Sequence, residues 1–126
     1  MSYTILVAED DPQNRKLFRD ILALRDYTVL EAENGREAVE LARQHAPDLL
    51  LLDIQMPVLD GFEVVKILKQ DAATASIPVW ALTSYAMPGD DAKIRQAGCD
   101  EHVTKPVDVS DFLHRVDTYF RDKNSE

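Results

Sequence analysis

The sequence has few of the residues that disulfide-rich, nucleic-acid-binding or membrane proteins use. Cys99 is the only cysteine, so it closes no disulfide within the chain and has no second cysteine to join it in a thiolate metal site. Basic residues are in the minority, with 14 Lys and Arg against 23 Asp and Glu and a net charge of -9. Because this charge repels a phosphate backbone and an anionic membrane surface, we expect neither nucleic acid nor membranes among the partners.

Long apolar runs are lacking as well. No stretch approaches the roughly 20 apolar residues of a membrane helix, and the opening "MSYTILVAEDD" has no basic start of the kind that signal peptides carry. Together with the single cysteine, these features predict a cytoplasmic protein. The 126 residues are 45% hydrophobic and 29% charged, which are globular proportions. We expect one domain over residues 1–126, with a core from about 3 to 120 and a short polar tail.

Short apolar segments alternate with longer helical patterns along the chain. We expect strands at "TILVA", "DYTVLEA", "DLLLLD", "IPVWALTS" and "EHVTK". Helix starts are indicated by Pro12 in a first turn, by Asn34 as the cap of a helix from Gly35 to about His45, and by Asp60 with Gly61. A fourth helix is expected over residues 89–97, ending at Gly98, and the last helix is expected to have Ser110 as its cap. In the first helix, Leu17, Ile21 and Leu24 recur at helical spacing. This alternation predicts an α/β fold with a doubly wound parallel sheet.

The segment "PDLLLLDIQMP" places a carboxylate directly after four leucines. Because the run is apolar without alternation, it predicts a strand buried on both faces, as in parallel sheets covered by helices. Reactive groups in such sheets gather beyond the carboxyl ends of the strands, where Asp53 lies. The other strand ends carry Glu9, Asp10, Asp11, Thr83, Ser84 and Lys105. We therefore expect one pocket to hold these side chains.

Carboxylates at this edge suit a divalent cation. Magnesium, or manganese in its place, prefers oxygen ligands, and Asp10 and Asp53 could supply two of them. The cation would neutralise the acidic cluster and leave one carboxylate oxygen to attack phosphorus. Lys105 and Thr83 would then hold the phosphoryl oxygens through charge-assisted and hydroxyl hydrogen bonds. We assign Asp11 mainly to the acidic start of the first helix.

Four segments of the chain resemble the signatures of one protein family. In order and at the family's spacing, they are similar to the four signatures of the bacterial response-regulator receiver domain: "VAEDDP", "LLLLDIQMPVLDG", "ALTSYAMPGD" and "AGCDEHVTKP". The likeness covers nearly the whole chain and is greatest to single-domain regulators of the DivK type. It implies the flavodoxin-like arrangement, a five-stranded parallel sheet of order 2-1-3-4-5 with helices on both faces.

The resemblance also implies a role for each residue of the expected pocket. Asp53 would be the phosphoacceptor and Asp10 a direct magnesium ligand. Glu9, which stands where the family more often has aspartate, would be a secondary acid. The backbone carbonyl of Gln55 would be a third protein ligand.

A second set of implied roles concerns switching. Thr83 resembles the switch hydroxyl of the family and Lys105 the cationic partner of the phosphoryl group, while Lys105–Pro106 resembles its cis peptide. His102 occupies a place where the family usually has tyrosine or phenylalanine. A ring that turns inward at His102 is therefore a hypothesis for this chain.

These features favour a phosphorylation switch over an enzyme. A histidine kinase or a histidine phosphotransfer protein would donate a phosphoryl group to Asp53, and the chain would assist its own magnesium-dependent phosphorylation and dephosphorylation. Only a few polar residues follow the last helix, so we expect the output to be another protein. The fourth helix, fifth strand and fifth helix are the expected binding face, because Thr83 and His102 lie on the strands that border it.

Two other classes of protein fit the sequence less well. A phosphatase of the haloacid dehalogenase type carries its nucleophile after the first strand with an aspartate two residues later, but here Pro12 follows Asp10 at that distance. A flavodoxin-like module for FMN needs a phosphate loop rich in hydroxyls or glycine, and "AEDDPQN" would repel that phosphate. Both alternatives are therefore disfavoured.

Overall fold

Strands and helices alternate in the computed structural model, which describes residues 3–54, 56, 60–83 and 90–124. The strands are β1 (Thr4–Ala8), β2 (Thr28–Ala32), β3 (Leu49–Asp53), β4 (Val79–Thr83) and β5 (Glu101–Thr104). The helices are α1 (Pro12–Ala23), α2 (Gly35–His45), α3 (Gly61–Gln70), α4 (Asp90–Ala97) and α5 (Val109–Asn124). Neighbouring strands pair in parallel in the order β2-β1-β3-β4-β5. The predicted sheet and its strand order are confirmed.

The four leucines of β3 pack in two directions. Leu50 and Leu52 belong to a core layer with residues of α2, α3 and α4, whereas Leu49 and Leu51 belong to a layer with residues of α1 and α5. All five residues of β3 are buried. Each buried leucine contributes roughly 1.5–3 kcal/mol relative to an exposed one, so the strand is held firmly in the centre of the sheet. The prediction of a strand buried on both faces is confirmed.

The residues of helix α1 that pack against the sheet differ from the predicted ones. Its buried residues are Phe18, Ile21 and Leu22, while Leu17 is 45% and Leu24 68% exposed. Both stripes have helical spacing, and they differ by a small rotation about the helix axis. The larger Phe18 side chain fills the space between β1 and α5, where its ring meets Phe112 edge to face.

Most of the predicted helix ends are present. Asn34 accepts a hydrogen bond from the Glu37 amide, and Asp60 accepts one from the Glu63 amide, so both residues cap their helices. Gly98 follows α4 with a φ of 107°, a backbone conformation that favours glycine. The first residue of the expected range 89–97 lies outside the described residues.

The predicted cap of the last helix is wrong. Asp108, not Ser110, accepts a hydrogen bond from the Asp111 amide at 3.0 Å, and α5 begins at Val109. An aspartate caps a helix as well as a serine does, and Ser110 falls inside the first turn. Among the described residues, no helix is long and apolar enough to cross a membrane. That residues 1–126 form a single domain stays a prediction.

Candidate functional site

Three carboxylates meet where β1 and β3 end. Glu9 and Asp10 follow β1, Asp53 is the last residue of β3, and one carboxylate oxygen of each lies within 4.8 Å of the other two. The strands bring them together because β1 pairs directly with β3, with Ala8 opposite Leu52. Glu9 and Asp53 are buried, while Asp10 is exposed. The cluster therefore opens to solvent on the Asp10 side.

A lysine from beyond β5 completes the cluster. Lys105 Nζ donates hydrogen bonds to Glu9 Oε2 at 2.8 Å and to Asp53 Oδ2 at 3.0 Å. Both are charge-assisted, the stronger kind of hydrogen bond. The Lys105–Pro106 peptide is cis, as the family resemblance implies. One ammonium group thus offsets part of the charge of three carboxylates and leaves the pocket acidic.

Burial and neighbouring charges shift two pKa values in the pocket. Burial and the charge of Asp53 raise the pKa of Glu9 to about 7, against the lowering effect of the Lys105 hydrogen bond. Burial lowers the pKa of Lys105, but the hydrogen bonds to Glu9 and Asp53 and the charges of these carboxylates together outweigh it and hold the pKa above its usual value. Lys105 therefore carries its positive charge at neutral pH.

The acidic segment after β1 is tied to helix α1. Asp11 accepts hydrogen bonds from the Gln13 amide at 2.9 Å and from Asn14 Nδ2 at 3.3 Å, so its carboxylate caps α1, in agreement with the predicted helix start. Arg15 Nη1 donates to the Glu9 carbonyl at 2.9 Å. Sequence reasoning missed Arg15, although an arginine one turn beyond an acidic helix start was a signal that could have pointed to it.

Thr83 lies at the same edge of the sheet. Asp53 is in register with Leu82, and Thr83 is the next residue and the last of β4. Thr83 is buried, and its carbonyl accepts a hydrogen bond from the Lys105 amide at 2.8 Å. The structure therefore joins the predicted switch residue to the segment that carries the predicted phosphate partner. Gln55 and Ser84 lie outside the described residues.

His102 lies on β5, opposite Ala81 of β4, and is partly buried. Its carbonyl accepts a hydrogen bond from Arg115 Nη2 of α5 at 3.1 Å. A cavity of about 260 Å³ adjoins it, lined among others by Asp108, Phe112 and Arg115. His102 therefore lies between the strand that carries Thr83 and helix α5.

Comparisons with known proteins agree with this geometry. Residues 5–117 match the family described as the response regulator receiver domain. The chain belongs to the response regulator receiver family. This receiver is 43% identical over 122 residues to the polar-differentiation response regulator DivK of Brucella anthropi, a match that covers 97% of this chain and 99% of the relative. The same identity and coverage relate it to DivK of Brucella ovis.

Solved receiver structures superpose closely on this receiver. The chemotaxis response regulator CheY4 of Vibrio cholerae has a TM-score of 0.87 at 25% identity, covering 94% of this chain and 98% of that one. The receiver domain of a sensor histidine kinase from Pseudomonas aeruginosa has a TM-score of 0.83 at 30% identity, covering 92% and 94%. That domain is described with a magnesium ion coordinated in its active-site cleft.

The predicted family and its likeness to DivK are confirmed. The chain is a receiver of the DivK type, a signalling protein of two-component systems and not a classical enzyme. Receivers interact with histidine kinases and phosphotransfer proteins. Family membership sets aside both the phosphatase and the FMN alternatives. The oxygen donors of Glu9, Asp10 and Asp53 are the kind that magnesium prefers, so the cluster fits that ion.

Proposed function

We propose that Asp53 accepts a phosphoryl group from a histidine kinase or a histidine phosphotransfer protein, and that the phosphorylated chain signals by altered binding to a downstream protein. The observation that carries this proposal is the convergence of Glu9, Asp10 and Lys105 on Asp53. Asp53 ends a rigid, fully buried strand, so its carboxylate is held at the edge of the sheet with little freedom to lose on reaction.

Asp10 and Asp53 would hold a magnesium ion, or manganese, with Glu9 as a secondary acid and the Gln55 carbonyl as a further ligand. When bound, the ion neutralises negative charge on the transferred phosphoryl group. The buried Glu9 is held by Lys105, whereas Asp10 is exposed and accessible to an ion that enters from solvent. Because Mg²⁺ keeps several of its waters, two carboxylates with an open side suit it better than a closed cage.

In the transfer step, an Asp53 carboxylate oxygen attacks phosphorus and the bond from phosphorus to the donor's histidine nitrogen breaks. The imidazole, which carries a proton on its other ring nitrogen, leaves with that electron pair as a neutral ring. Lys105 already donates to Asp53 Oδ2, so a small movement of Nζ brings it to a phosphoryl oxygen. The Thr83 hydroxyl would donate a second hydrogen bond to the phosphoryl group.

The response would pass from Thr83 to the surface formed by α4, β5 and α5. Thr83 and Lys105 share a backbone hydrogen bond, and Arg115 ties the His102 carbonyl to α5. A shift of Thr83 toward the phosphoryl group would therefore alter β5 and the cavity beside His102. We assign the downstream protein to this face, with His102 as the switch ring. Because a histidine kinase takes its phosphoryl group from ATP, the cytoplasm is the proposed location.

The intact mass of the protein after treatment with acetyl phosphate and magnesium tests the proposal. Wild type should gain the mass of one phosphoryl group, and the gain should disappear with a metal chelator or in Asp53→Asn. Asp11→Asn is the matched control, because asparagine caps a helix as well as aspartate and the phosphoacceptor is untouched. Equal labelling of wild type and Asp53→Asn would reject Asp53 as the acceptor.

A further inference from the structure

The guanidinium group of Arg15 joins the acidic segment to the end of β2. Nη1 donates to the Glu9 carbonyl at 2.9 Å, Nε lies 3.5 Å from Glu31 Oε1, and Nη2 lies 3.7 Å from Glu33 Oε1. Although α1 is a surface helix, the Arg15 side chain is only 14% exposed. The group is therefore held on several sides, and its orientation toward Glu9 is well defined.

The backbone of Glu9 is held by hydrogen bonds at both of its polar groups. Its amide donates to the Ala32 carbonyl at 3.1 Å, and its carbonyl accepts from Arg15. The carbonyl belongs to the peptide group that links Glu9 to Asp10, so Arg15 sets the orientation of that peptide plane. Asp10, the exposed member of the carboxylate cluster, follows directly.

We propose that Arg15 is a positioning residue for the metal site, holding the Glu9–Asp10 peptide so that both carboxylates face Asp53 before the ion arrives. The inference rests on the proposed function, because the magnesium site is part of it. A cation gains most from ligands that are already in place, and the groups that orient ligands are typically worth about 10- to 100-fold in metal affinity.

Charge and positioning predict opposite effects of removing Arg15. The guanidinium is positive, so its loss would by charge alone make the pocket more acidic and strengthen magnesium binding. Glu31 and Glu33 offset much of that charge at the other side of the group. Loss of the hydrogen bond to the Glu9 carbonyl would instead release the peptide plane and weaken binding. The direction of the change therefore distinguishes the two effects.

Arg19 provides a control on the same helix. It lies one turn beyond Arg15, and its Nη1 is 3.3 Å from Glu31 Oε2, so it also links α1 to β2. Its other ion pair is with Asp20, at 3.7 Å. Arg19→Ala thus removes an arginine and an ion pair to the same glutamate, and leaves the hydrogen bond to the Glu9 carbonyl in place.

The test is a calorimetric titration of magnesium chloride into metal-free wild type, Arg15→Ala, Arg15→Lys and Arg19→Ala, at low and high salt, with thermal unfolding of each protein. Arg15→Ala should weaken magnesium binding by about 10-fold or more at both salt concentrations, because geometry is not screened by ions. Arg15→Lys should recover part of the loss, since lysine can still donate to the carbonyl. Arg19→Ala should bind as wild type does.

A second measurement separates positioning from a general structural defect. In the acetyl phosphate reaction, Arg15→Ala should need more magnesium for half its maximal rate, yet approach the wild-type rate when magnesium is saturating. If Arg15→Ala unfolds too readily for titration, Arg15→Lys gives the same comparison at smaller amplitude. If magnesium binding in Arg15→Ala is unchanged or tighter, the positioning role of Arg15 is wrong, whereas the proposed function of Asp53 still stands. A wild type that binds no magnesium would overturn the metal site, and the inference with it.

Discussion

Lys105 Nζ lies 3.0 Å from Asp53 Oδ2 and 2.8 Å from Glu9 Oε2, so one ammonium group from beyond β5 pairs with carboxylates at the ends of β3 and β1. The lysine occupies two carboxylate oxygens that a metal ion would also attract. It thereby holds both carboxylates in place and competes with the cation for them. Its removal should affect stability and metal binding in opposite directions.

Lys105→Met should lower the free energy of unfolding of the metal-free protein by about 1–3 kcal/mol, because two buried carboxylates each lose a charge-assisted hydrogen bond. The same variant should bind magnesium more tightly than wild type, since the competing cation is gone. Chemical denaturation and calorimetry measure the two effects. Lys16→Met, which removes a charge from an exposed position on α1, should change neither. Weaker magnesium binding in Lys105→Met would contradict the competition.

Gly61→Ala should disturb the site through the backbone. A Cβ atom at Gly61 would lie 2.4 Å from Ile54 Cα, directly after Asp53, and the Gly61 amide donates to the Ile54 carbonyl at 3.2 Å. We expect a stability loss of about 1–3 kcal/mol and slower phosphorylation, because α3 must move away from the segment that carries Asp53.

Gly98→Ala is the control for that variant. It introduces a side chain at a φ of 107° and 3.1 Å from Val65 Cγ1, so it should also destabilise the protein. Gly98 lies at the end of α4, and the phosphorylation rate of this variant should match wild type under folded conditions. Equal rates for the two alanine variants would show that the contact of Gly61 with Ile54 has no influence on Asp53.

Thr83→Ala should separate phosphorylation from its structural response. Trp80, the only tryptophan, lies on the same strand and packs against Tyr119 of α5, with ring centroids 5.6 Å apart. We expect phosphorylation to change the Trp80 fluorescence of wild type, and Thr83→Ala to accept the phosphoryl group with most of that change lost. Thr83→Ser keeps the hydroxyl and should respond like wild type. A full response in Thr83→Ala would exclude the hydroxyl as the switch.

The buried thiol of Cys99 should make stability depend on pH in the alkaline range. Burial raises the pKa of Cys99 from 9.0 to about 11. The negative charge of Asp100 contributes to this increase, and the positive charge of Lys69 opposes it. Between these two pKa values the folded state keeps a proton that the unfolded state releases. The contribution of the protonated thiol to folding stability is therefore complete below pH 9 and is lost as pH rises toward 11.

Cys99→Ala has no thiol and should lack that loss. The difference in unfolding free energy between wild type and Cys99→Ala should shrink by up to about 3 kcal/mol across this range. Urea denaturation at several pH values measures it, and the cavity left by the smaller side chain contributes equally at each pH. A constant difference would mean that the thiol ionises as freely in the folded protein as in the unfolded one.

Local sequence patterns determined the alternation of strands and helices, most of the helix starts and the chemistry at the strand ends. An unbroken run of leucines specifies a strand covered on both faces, and Asn34 and Asp60 cap helices through hydrogen bonds to amides three residues away. Glu9, Asp10, Asp53, Thr83 and Lys105 could be grouped because parallel strands deliver their carboxyl ends to one edge. These features depend on short-range geometry, which a sequence carries directly.

Only the tertiary structure decided which of several equivalent local choices was used. Leu17 and Phe18 both lie on helical stripes, and packing against α5 selected Phe18. Asp108 and Ser110 are both good caps, and the position of α5 selected Asp108. The hydrogen bond from Arg15 to the Glu9 carbonyl depends on Glu31 and Glu33 as well, which reach the guanidinium only once β2 lies beside β1. Such contacts join residues distant in the chain, and their energies depend on burial that no local pattern specifies.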